Sequence, residues 1–299
     1  MKTLFLAVLL LTITSVQTSE AAPPKKYSVE AAFYEPMLGV NTIFIGSFTF
    51  DSTNSQITNL TGTLSQAMTG PPQQTITLSH NKVASQSDGK GGVLATVFAV
   101  DSTDVFWQGG YDWRSGQKTF GNNNAYVTID VNATNPTSGA TDINLLAYAD
   151  CTPNGLMGVT CMTGYAGGGT MGAYPISETI TLLPSPSPTI GLNGSLLTMS
   201  LAAGADVGQN ADWWLVAQSP MGNWYAYAYP YGWVLLGADL SQITPAYQGP
   251  LQNIAEMGIF ETSGLPSGQY PVYFGVDTNM NGVLDNQQLY YYGYLLTIP

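Results

Sequence analysis

Positive charge is scarce in this chain: 7 of 299 residues are Lys or Arg, against 19 Asp or Glu, for a formal net charge of -12. Nucleic-acid binding needs clustered cations to neutralise phosphates, so that function class is excluded. The same shortage excludes a polybasic patch for acidic lipids. Charged residues of both signs reach only 9%, too few for a coiled coil or charged helical bundle. Histidine occurs once, at His80, which rules out a metal centre with two or more His ligands. Any Ser-His-Asp mechanism would have to run through His80, and no Gly-x-Ser-x-Gly elbow accompanies it. No apolar run is long enough for a membrane-spanning helix. What is present is core material: 44% hydrophobic and 11% aromatic residues, which excludes a disordered chain.

Met1, Lys2 and Thr3 precede an apolar run from Leu4 to Ile13, and small residues stand at Ser19 and Ala21. This pattern predicts a secretory signal peptide over residues 1–21 and a secreted or periplasmic protein. The two cysteines, Cys151 and Cys161, flank a Pro/Asn/Gly segment. In an exported chain that spacing predicts a disulfide, because a soft metal site would want further ligands that the sequence lacks.

The sharpest break in composition is the stretch from Leu183 to Thr189, where Pro184, Pro186 and Pro188 alternate with Ser185 and Ser187. Alternating prolines favour an extended, semi-rigid spacer. All seven Lys and Arg precede residue 119, whereas residues 190–299 contain none and hold four of the six Trp. Short runs rich in Val, Ile, Thr and aromatics recur on both sides, punctuated by Gly, Pro, Asn and Asp. In one of them Phe44, Phe48 and Phe50 share a face, alternating with Ile45, Ser47 and Thr49. The expected fold is therefore all-β: two antiparallel β-sandwich domains over 22–183 and 190–299, joined by a Pro/Ser linker at 184–189.

The segments from Asn41 to Gly70 and from Asp150 to Gly164 resemble an uncharacterised family of exported bacterial β proteins. Those from Ala211 to Ala217, Pro245 to Leu251 and Tyr273 to Asp285 are similar to an aromatic-rich C-terminal β module of exported bacterial proteins. The resemblance implies export and two β units, and carries no catalytic residue across.

No catalytic residue is assigned from the sequence. Ser79 and Lys82 satisfy a Ser-x-x-Lys spacing, but they follow a strand and lack the companion motifs of penicillin-recognising enzymes. Asp101, Asp104, Asp112 and Glu178 are the carboxylates that a secreted hydrolase could use, with Trp107 and Trp113 lining a cleft. Strand alternation would set Tyr225, Tyr227 and Tyr229 in one partly wet row opposite Ala226 and Ala228. Adjacent Trp213 and Trp214 must face opposite sides, so one of them is a surface candidate. Together these five aromatics are the candidate platform for a carbohydrate or protein surface ligand. Asp277, Asn279, Asn281, Val283 and Asp285 place oxygens at alternate loop positions around a sharp turn at Gly282. That is the donor pattern a hard cation needs, and it predicts a structural calcium ion held in a β-hairpin. Only these loop positions resemble the calcium loops of α-integrin propeller repeats. The expected function is exported, non-enzymatic recognition or surface attachment. Its rivals are a carboxylate-dependent hydrolase and an extracellular protein that self-associates edge to edge through poorly guarded strands.

Overall fold

The computed structural model describes residues 23–36, 38–66, 74–103, 124–150, 162–166, 173–238, 243–285 and 288–299. The expected signal peptide, the Trp107–Trp113 segment, Asp104, Asp112, Cys151 and Cys161 lie outside them. The described residues carry strands and short 3-10 turns without an α-helix, and no helix among them is long and apolar enough to cross a membrane.

In the first half β1 (Lys25–Glu35), β2 (Val40–Asp51), β3 (Gln56–Gln66) and β4 (Gln74–Leu78) follow one another as an antiparallel meander. A second sheet is built from β5 (Gln86–Ser87), β6 (Gly92–Phe98), β7 (Ala125–Asn132), β8 (Ala147–Asp150) and β9 (Met162–Gly164). β10 (Tyr174–Leu182) then returns to the first sheet as the outer neighbour of β1. The two sheets pack face to face. The period-2 pattern explains why: Phe44, Phe48 and Phe50 are all buried in one core with Val127, Ile129 and Val131 of β7. The expected aromatic face of the second strand is thus the core face.

In the second half β11 (Ser187–Asn193) and β12 (Leu196–Ala202) form a hairpin, and β13 (Asn210–Gln218), β14 (Trp224–Ala228), β15 (Gly232–Gly237) and β16 (Tyr247–Pro250) follow. β17 (Ile254–Glu261), β18 (Gly268–Asp277) and β19 (Leu289–Ile298) complete it. β11, β12 and β17 make a three-stranded sheet, and the others a six-stranded one with β13 at its centre. A second cluster centred on Leu197, Trp213, Val272 and Phe274 fills the space between them.

The Pro/Ser linker needs correction. Residues 187–189 belong to β11, with Ser187, Pro188 and Thr189 opposite Ala202, Leu201 and Ser200. Proline is tolerated because β11 has a neighbour on one side only. Beside this segment the halves touch: the Lys26 ammonium pairs with Asp206 and donates to Gln209 Oε1 at 2.7 Å.

Candidate metal loop and aromatic groove

β18 ends on Asp277, which is fully buried. Its Oδ1 accepts the Asn279 amide at 2.9 Å and its Oδ2 the Asp285 amide at 2.7 Å, so one carboxylate folds the loop about itself. Asp285 Oδ2 in turn accepts the side-chain amides of Asn279 at 2.5 Å and Asn281 at 3.0 Å. Four of the five expected ligand residues therefore meet. Val283 is exposed and joins them through its backbone amide, which donates to Asn281 Oδ1 at 2.8 Å. Gly282 supplies the left-handed turn, at φ +79°.

Sequence reasoning missed Asp212. It lies directly opposite Asp277 on β13 and is also fully buried. Its Oδ2 accepts the amides of Gly282 at 2.6 Å and Asn281 at 3.1 Å, and its Oδ1 accepts Gln248 Nε2 at 2.7 Å. Burial pushes the Asp277 carboxyl up from its ordinary value, and the negative Asp285 and Asp212 add to that. The signal was available: a lone acid inside the apolar run from Ala211 to Val216, in a half with no Lys, Arg or His. Among the described residues no group of three or more His, Cys, Asp or Glu is placed to hold a metal. A cation at this loop must therefore draw on asparagine and backbone oxygens.

The aromatic row is arranged differently from the expectation. Tyr225 lies opposite Ala217, a core residue, and Tyr227 packs against the core, its ring edge-on to Trp233 at 5.7 Å. Tyr225 and Tyr227 thus share the face turned to the opposing sheet, each half-buried. Tyr229 lies beyond the end of β14, 67% exposed, with its ring edge-on to Tyr247 at 6.4 Å. Trp213 and Trp214 do face opposite sides, but both are buried, so neither is the expected surface Trp.

The reason lies in strand number. A three-stranded sheet cannot cover a six-stranded one. Where the smaller sheet stops, a groove of about 540 Å³ opens between them, walled by Trp213, Tyr227, Tyr229, Tyr247, Ile254 and Met257. Among the described residues no charged one lines it. The groove and the loop are mechanically joined, because the Gln248 held by Asp212 directly follows Tyr247 on β16.

Of the four acids a hydrolase could use, Asp101 and Glu178 are among the described residues. Asp101 pairs with Lys82. The His80 backbone bridges Phe98. Glu178 Oε1 accepts the Asp130 amide at 3.3 Å, where β7 has outrun β8, and burial pushes its carboxyl up to about 8. Glu35, at the buried end of β1, accepts Thr42 Oγ1 at 2.9 Å and the Tyr148 hydroxyl. Burial raises its carboxyl above the ordinary range, outweighing those two hydrogen bonds. A raised folded value means that Glu35 stabilises the fold fully below the unfolded carboxylate range and loses that contribution as pH rises through the folded value. Glu35→Gln should therefore flatten this part of the pH dependence, gaining on the wild type as pH rises through the folded value. Urea titrations at acidic and alkaline pH check it; parallel wild-type and variant profiles would refute it.

Comparison with known proteins returns no family: no family model, no curated protein and no solved structure matches the chain. The resemblance to exported bacterial β proteins rests on the quoted segments alone.

Proposed function

We propose that this chain is an exported, non-enzymatic recognition protein whose second half takes an uncharged glycan into the aromatic groove, with calcium fixing the adjoining loop. The observation that carries the reading is the groove itself, aromatic-walled, open and without charge among the described residues. Aromatic faces stack on the C–H faces of sugar rings, and the Tyr229 and Tyr247 side chains are exposed at the groove. An acidic or basic ligand would lose its hydration there without gaining a partner.

Calcium supports the same surface. Asp212 and Asp277 are fully buried in a half that offers no cationic side chain of its own. The side-chain amide groups of Asn279 and Asn281 set their positive ends on Asp285. Rotation of each amide would present oxygen instead, completing a hard-cation donor set with Asp277, Asp285 and the Val283 carbonyl. An ion so held steadies Asp212, hence Gln248 and the groove wall at Tyr247.

Affinity electrophoresis through gels containing neutral polysaccharides (starch, mannan, hydroxyethyl cellulose) tests the reading. At least one should retard the wild type, and the Tyr229→Ala, Tyr247→Ala double variant should bind about tenfold more weakly while its circular dichroism is unchanged. Equal retardation of a folded double variant, or no retardation of the wild type by any of them, would remove the proposal.

A further inference from the structure

A second set of oxygens converges in the first half, on the opposite face of β7 from the core. Asp130 is fully buried. Its Oδ2 accepts the Thr141 hydroxyl at 2.7 Å and the Asp142 amide at 2.8 Å, but its Oδ1 has no hydrogen-bond partner. That unpartnered oxygen is aimed at Gly92. Thr141 Oγ1, Asp130 Oδ1 and Asp88 Oδ2 all lie within 2.6 Å of the point where a Gly92 side chain would begin. Three separate segments supply them: the loop before β6, β7 itself, and the turn that precedes Ile143–Leu145.

We propose that Asp88, Asp130 and Thr141 form a site for a hard divalent cation of the calcium or magnesium type, independent of the loop at Asp277. Donor counting favours an ion. The Thr141 hydroxyl contacts both Asp130 Oδ2 and Asp88 Oδ2, yet it has one proton to donate. Asp88 Oδ1 accepts the Lys90 and Gly92 amides, but its Oδ2 shares the one hydroxyl with Asp130, whose Oδ1 has no partner. Lys90 is near, but its ammonium is bound to Asp142. The donors are all oxygen, with no imidazole or thiolate among them, which selects hard cations over zinc or copper. Gly92 is required here because any side chain would occupy the space on which the oxygens converge. Two carboxylates and a hydroxyl, completed by water or backbone oxygens, correspond to a dissociation constant of about 10⁻⁴–10⁻³ M. The bound ion would tie the loop before β6 to the segment above β7.

The test is calorimetric titration of the mature protein with calcium alone, and with magnesium alone in parallel. It uses Asp285→Asn as the background, so that binding at the other loop is removed. Asp285→Asn should retain one ion. Adding Asp88→Asn, at a half-buried position, should weaken that ion by about tenfold or more, and adding Thr141→Val, which leaves the charge unchanged, should weaken it too. Unchanged affinity in both added variants overturns the proposal, as does the absence of binding of either ion to Asp285→Asn. If wild type and Asp285→Asn each bind one ion, lost on Asp88→Asn, the loop at Asp277 fails while this site stands.

Discussion

A single methyl group at position 62 is expected to lower the stability of the first half by about 3 kcal/mol, the upper end of what overpacking costs. Gly62 on β3 lies directly opposite Gly46 on β2. The ring of Phe44, itself fully buried, covers both. A Cβ at Gly62 would come within 2.7 Å of the Ile45 carbonyl oxygen, the Phe44 ring and the Gly46 Cα. Two of those three neighbours are backbone in the central ladder of the sheet, so no flexible side chain can swing away to relieve the clash. Gly264→Ala is the control, because nothing lies within 4 Å of its Cβ position. With an ordinary denaturant dependence of about 1–3 kcal/mol per molar urea, the Gly62→Ala midpoint should fall by about 1 M or more. A midpoint matching that of Gly264→Ala would show that β2 and β3 separate more easily than their packing implies.

The aromatic core around Phe44 was legible because strand alternation acts over neighbouring residues, and Phe44, Phe48 and Phe50 stand two or four apart. The hairpin loop was legible for the same reason: donors at Asp277, Asn279, Asn281 and Asp285 are close in sequence. Asp212 was not, since only the β13–β18 register brings it opposite Asp277, and register is a long-range outcome of which face each strand buries. The tyrosine row shows where local pattern stops. Alternation correctly sets Tyr225 and Tyr227 on one face of β14, but which face meets the core depends on the sheet stacked above it. Residues 187–189 also pair as the start of β11, where alternating prolines had pointed to a spacer. Short strands such as β8, with the sequence Ala147 to Asp150, carry too few β-branched residues to stand out at all. The groove follows from unequal sheet widths, a property of topology that no local motif announces.

Calcium should be the largest reversible influence on the second half. Asp88→Asn is the appropriate background, since it leaves the Asp277 loop as the remaining proposed site. There, about 10 mM calcium over a dissociation constant of about 10⁻⁴–10⁻³ M should stabilise the fold by about 1.4–2.7 kcal/mol. Chelation should reverse the gain. Asp285→Asn should abolish the response with little change in ion-free stability, because Asp285 receives two side-chain amides at the loop surface and an asparagine oxygen can still accept them. Asp277→Ala should behave differently. Its carboxylate is buried and accepts two backbone amides, so its removal strands both donors and should cost about 2–4 kcal/mol even without calcium. The contrast separates an ion ligand from a loop scaffold: one variant loses the calcium response alone, the other loses stability in either state. Thermal unfolding followed by tryptophan fluorescence, with and without chelator, reads both effects, since four of the six Trp lie in this half. A wild-type melting curve indifferent to chelator and to millimolar calcium would leave Asp277 as a scaffold only, holding a hairpin turn that needs no ion.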